Sequence, residues 1–140
     1  MPLEKIYEEV ILENIQIRNL HFSNTKKAMC VQFKNVKIIT LDYKNITSVV
    51  EEKEILAEEL SHFQTGTLYM IKNNFNEKIE KQNQRKFEAK AKRHSTLKLV
   101  KQKDVEKLKY MTSYELATEL CVSEKTILDA LKIYKNRGRL

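Results

Sequence analysis

Apolar residues recur at helical spacing over residues 3–14, where Ile6, Val10 and Ile11 sit among charges, and this predicts a short amphipathic helix. Over residues 15–22 the pattern alternates, with Ile15, Ile17 and Leu20 against Gln16, Arg18 and Asn19, and this predicts a strand. Two β-branched and aromatic runs follow, Ala28–Phe33 and Val36–Leu41. Lys34 and Asn35 lie between them, a spacing that suits a tight hairpin. Residues 23–27 read as a turn and residues 42–48 as a polar connection. A small three-stranded sheet of antiparallel type is expected.

From Val49 the period changes to helical. Ser48 is placed to cap the helix, and Glu51 and Glu52 fall in its first turn, where the helix dipole favours anions. Leu56, Leu60 and Phe63 make its apolar stripe, and Gly66 is a natural stop. Residues 69–80 are ambiguous, because Asn73, Asn74 and Asn76 weaken a helix there. Residues 82–100 read as a long polar helix whose inward face is Phe87, Ala91, His94-Ser95 and Leu99. Shorter helices are expected over residues 104–110, Ser113–Leu120 and 123–134, the last capped by Ser123 with Glu124 behind it. Residues 135–140 form a basic tail. The fold class is therefore α+β, with a first domain over residues 1–100 and a helical appendix over residues 101–140.

The 140 residues carry a net charge of +7, split unevenly. Residues 1–80 sum to −2 and residues 81–140 to +9. A polyanion or acidic partner near the second half fits this split, and so does a solvated basic helical surface. Only 2 Gly and 1 Pro occur, which excludes a P-loop and a dinucleotide-binding turn. No apolar run is long enough to cross a bilayer, and the first residues do not read as a signal peptide, so a cytoplasmic address and no membrane partner are expected. Cys30 and Cys121 lack a CxxC partner and are expected to be free thiols.

Glu58 and His62 are four residues apart and so project from one face of their helix. A carboxylate and an imidazole so placed can hold one divalent cation, and Glu59 is near enough to reach its water. Such a site needs a third protein ligand. Glu51, Glu52 and Glu54 on the same helix read as a solvated face.

The helix reads EKEILAEELSH, preceded by the hairpin AMCVQFKNVKIITLD and followed, 26 residues after His62, by Glu88 within Phe87-Glu88-Ala89-Lys90-Ala91. In this order these elements resemble the ImmA/IrrE family of phage and mobile-element metallopeptidases, and the resemblance runs from about residue 15 to the end. It implies a zincin-like motif helix, a second ligand helix and zinc held by Glu58, His62 and Glu88. It implies Glu59 as the general base and a helix-turn-helix repressor of phage type as substrate. The chain departs from the family pattern at Glu58, which stands in place of the first His, and at Ser61, which replaces a Gly. The added negative charge would make the metal a weaker acid and the enzyme slower or inactive. The sheet edge beside the motif helix would take an extended substrate strand. Tyr69 and His94 are candidates to stabilise the oxyanion, although His94 is turned about 120° from Glu88 around its helix. His21 reads as structural or exposed.

Residues 114–131 also look like a helix-turn-helix, with Leu116, Ala117 and Leu120 packing one helix, Val122 in the turn, and Ile127 and Leu131 packing the other. Ser123, Lys125 and Thr126 would then form a DNA or partner surface. Glu124 and Asp129 on that helix, and its lack of Arg, favour a protein partner over DNA. A non-catalytic regulator that binds repressor or DNA is the alternative function.

Overall fold

The computed structural model describes residues 1–68 and 77–138, with 77–81 described in their backbone only. The described residues form α1 (Leu3–Leu12), β1 (Ile15–Asn19), β2 (Ala28–Phe33), β3 (Val36–Leu41), α2 (Val49–Thr65), α3 (Glu77–Leu99), α4 (Gln102–Val105), α5 (Ser113–Leu120) and α6 (Glu124–Asn136), with single 3-10 turns at Tyr43–Asn45 and Glu106–Lys109. The α+β class is as expected. Residues 69–76, including Tyr69, lie outside the described residues, and so do residues 139–140 of the basic tail.

The sheet is mixed, which corrects the antiparallel expectation. Its order is β1-β3-β2. β3 pairs antiparallel with β2, from Ala28 opposite Leu41 to Phe33 opposite Val36, and parallel with β1, from Ile15 opposite Lys37 to Asn19 opposite Leu41. Lys34 takes a left-handed φ of 54° in the two-residue hairpin. Residues 20–27, read as the end of a strand followed by a turn over 23–27, instead carry the chain past β3, a gap of two strand spacings, or about 10 Å. The backbone N–H of Leu20 donates to Leu41 O and that of Asp42 to Lys27 O, so the crossing is closed on both sides. The central strand is the most buried of the three, and Ile39 and Leu41 are wholly buried.

Strand β1 ends at Asn19, three residues short of the alternating pattern, and Leu20 is half exposed. Asp42 accounts for this. Its buried carboxylate accepts from the Phe22 backbone N–H at 3.1 Å, from Asn45 Nδ2 at 2.8 Å, and lies 3.0 Å from His21 Nδ1. Burial pushes the Asp42 carboxyl up, but these bonds overcome it and hold the group below the ordinary carboxylate value. His21 is thus half solvated and structural, as its sequence position suggests.

Helix α1 buries Ile6 and Val10 but leaves Ile11 73% exposed, because adjacent helical residues are 100° apart and only one of the pair can face inward. Helix α2 runs beneath β2, α1 and α3. Leu56 and Leu60 are fully buried, and beside them a second row, Lys53, Ala57 and Ser61, is buried at four-residue spacing. The buried residues of 1–100 and 101–140 join in one core, and the Tyr134 hydroxyl donates to Val100 O at 3.0 Å.

The acidic residues of α2 do not form a bare solvated face. Glu51 pairs with Lys27 Nζ at 2.7 Å, and Glu52 accepts from the Tyr7 hydroxyl at 2.7 Å. Glu54 Oε1 accepts from the Ser123 backbone N–H and from Thr126 Oγ1, both at 2.7 Å. Lys53 Nζ donates to Leu120 O, the last carbonyl of α5, at 2.6 Å, and burial lowers its pKa. The turn between α5 and α6 is therefore pinned to α2. Thr126 is 3% exposed and bonded to Glu54, so it is not available to the expected DNA or partner surface of Ser123, Lys125 and Thr126; of the three, Lys125 is exposed and Ser123 half-buried. Periodicity places Thr126 on the polar face of α6, but it cannot show that Glu54 covers that face.

Replacing Glu54 by Ala removes a charged acceptor shared by two donors. Hydrogen bonds to charged groups contribute roughly 1.5–3 kcal/mol, so urea denaturation is expected to show a loss of about 2 kcal/mol. A loss below about 0.5 kcal/mol would mean that Glu54 does not tether α6.

Candidate metal centre

The α2 helix ends at Gly66, which takes the left-handed φ of 68° that closes a helix C-terminus. That turn folds the next residue back onto the last helical turn. The Thr67 backbone N–H donates to His62 O at 3.0 Å. In return, His62 Nδ1 lies 3.0 Å from Thr67 O and 3.2 Å from Thr67 Oγ1. A backbone carbonyl can only accept, so Nδ1 carries the proton. In the neutral ring Nε2 then holds a free lone pair.

Nε2 points at α3, where Glu88 Oε2 lies 3.4 Å away. Two ligands on a tetrahedral ion with bonds of about 2.1 Å are themselves about 3.4 Å apart. Glu58, one helical turn before His62, completes the group: one ligand atom from each of Glu58, His62 and Glu88 lies within 4.8 Å of the other two. The sequence-derived ligands therefore converge, and this trio could hold a metal ion. One imidazole nitrogen and two carboxylate oxygens suit a borderline or hard divalent cation. His62 is nearly buried, whereas Glu88 is about half exposed, so the site opens to solvent on its α3 side. Lys92 Nζ lies 3.7 Å from Glu58 Oε2 and offsets part of the charge gathered there. Glu58 and Lys92 also border a cavity of about 310 Å³ that runs back along α2.

Glu59 lies beside Cys30 of β2. Burial pushes the Glu59 carboxyl up; Cys30 and His62 pull it down, and Glu58 and Glu88 push it up again, for a net rise. Burial, aided by Glu59, likewise pushes the Cys30 thiol well above its ordinary value. Both cysteines are free, as expected.

His94 does not join the cluster. Its Nδ1 lies 3.0 Å from the hydroxyl of Ser61, the residue that replaces the Gly of the resembled pattern. Ser61 is fully buried, so this bond fastens α3 to α2 one residue from His62. Two contributors escaped the sequence reading. Thr67 was signalled only by the Gly66 stop, and Lys92 only by its position one turn beyond Glu88.

Desolvation, reinforced by Lys98, holds the His94 pKa below its ordinary value, against the opposing pull of Glu9 and Glu13. The unfolded chain then binds the proton more readily, so stability is complete above about pH 6.5 and is lost as pH falls below it. Urea midpoints at pH 7.5 and 5.5 should drop for the native chain and drop less for His94→Gln. Equal drops would remove His94 from this account. No family model, no curated protein and no solved structure matches the chain.

Proposed function

We propose that the chain is a zinc endopeptidase of the ImmA/IrrE type, acting on a helix-turn-helix repressor and so switching on the genes of a phage or integrative element. The observation that carries this reading is the His62 ring. Its Nδ1 is committed to Thr67, its Nε2 lies 3.4 Å from Glu88, and Glu58 falls within the same 4.8 Å group. Metal-ligating histidines carry this arrangement, with one ring nitrogen donating to a backbone carbonyl and the other turned to the remaining ligands.

Bound by Glu58, His62 and Glu88, zinc would polarise a peptide carbonyl and make a water more acidic. The chain's own residues supply the rest. Glu59, its pKa raised by burial, is suited to accept a proton from the attacking water. It then returns that proton to the leaving amine as the peptide C–N bond breaks. β2 is an outer strand of the sheet, so an extended substrate segment could pair along it and bring its carbonyl to the site. Glu58 in place of a His adds negative charge to the ligand set, and slow turnover follows. The same substitution favours a second reading, in which the fold binds repressor or DNA without hydrolysis.

Glu59→Gln separates the two. Under the peptidase reading it keeps about one zinc per chain and cuts repressor hydrolysis by a factor of about 100 or more, the contribution of a positioned general base. The uncut complex should also slow amide exchange along β2. Repressor function indifferent to Glu59→Gln would support the regulator, and absence of zinc from the native chain would defeat the peptidase.

A further inference from the structure

The positive charge of the second half is concentrated away from the turn between α5 and α6. A cavity of about 320 Å³ lies between α3 and α6, lined by Ala89, Lys92, Arg93 and Thr96 from one helix and Asp129, Lys132, Ile133 and Asn136 from the other. On both helices these are positions i, i+3, i+4 and i+7, so two whole faces confront each other across the groove. Three cations and one acid line it, and Lys125, one turn back on α6, lies 3.9 Å from that acid, Asp129. The basic surface continues along α3 through the exposed Lys86 and Lys90 and past the end of α6 through Lys135, in its last turn, and Arg137.

We propose that the α3–α6 groove binds the phosphate backbone of a nucleic acid, independently of the peptidase reading. Its chemistry favours that ligand over a protein. Protein interfaces are anchored by aromatic and large apolar side chains. Among the described residues, none of the exposed large hydrophobics lines this groove. Above an aliphatic floor that includes Ala89 and Ile133, it offers the exposed Arg93 and Lys132, the groups that neutralise phosphates. Binding of this kind reads charge and not sequence, in accord with a helix α6 whose first turn is folded onto α2.

The test uses the full chain and a fluorescein-labelled DNA duplex of about 20 base pairs, followed by anisotropy across a salt series. Two phosphates neutralised by Arg93 and Lys132 give a log–log salt slope of about −1.8, so that affinity falls about 12-fold between 50 and 200 mM salt. The double variant Arg93→Glu with Lys132→Glu should weaken binding at least tenfold and flatten the slope by about 1.8. Lys92 is left intact because it also faces Glu58. The control, Lys26→Glu with Lys34→Glu on the sheet side, makes the same change in net charge and should lose less than threefold. Circular dichroism confirms that each variant is folded. The proposal is overturned by absence of binding at low salt, by equal losses in the two double variants, or by polyglutamate competing as well as unlabelled DNA at equal charge.

Discussion

Helix α2 is covered on most sides, and a covered helix must find a partner for each of its polar side chains. An unsatisfied buried polar group costs on the order of 1–3 kcal/mol, a sizeable share of the stability of any small domain. The rest of the structure meets this demand. Lys53 is satisfied by the end of α5, Glu54 by the start of α6, Glu52 by α1, Glu51 by the approach to β2 and Ser61 by α3. These bonds fix how the neighbouring elements sit on α2, and the candidate site is formed where α3 packs against its C-terminal half.

The site inherits its order from that arrangement. Gly66 ends α2 in a left-handed turn, the turn brings Thr67 O to His62 Nδ1, and that bond frees Nε2. Ser61 and His94 hold α3 at the register that sets Glu88 opposite His62. Glu58 follows from the helical repeat alone. Two carboxylates facing one imidazole repel each other unless a cation lies near them. Lys92 supplies one such charge, and a divalent ion would supply a larger one.

Local pattern made much of this legible. The strands, the Ser48 cap, the Gly66 stop and the inward residues of α3 all follow from periodicity and capping chemistry, and Glu58 and His62 follow from the four-residue repeat. Glu88 does not. It lies 26 residues further on, and only the resemblance to a known pattern joined it to the other two. The parallel pairing of β1 with β3 was hidden because a short polar segment gives no sign of whether it turns beside its strand or crosses over another. The partners of Glu54 and Thr126 were hidden for a related reason. A polar position on a helix reads as solvent-facing until a second polar helix is placed against it.

The central claim is that Glu58, His62 and Glu88 together hold one metal ion. X-ray absorption spectroscopy at the zinc edge of the metal-loaded chain tests this most directly. The account predicts one zinc per chain with nitrogen and oxygen neighbours only, at about 2.0–2.2 Å, and no sulfur. A zinc–sulfur distance near 2.3 Å would place the metal on a cysteine instead, and failure to retain zinc would show that this trio is not a metal site.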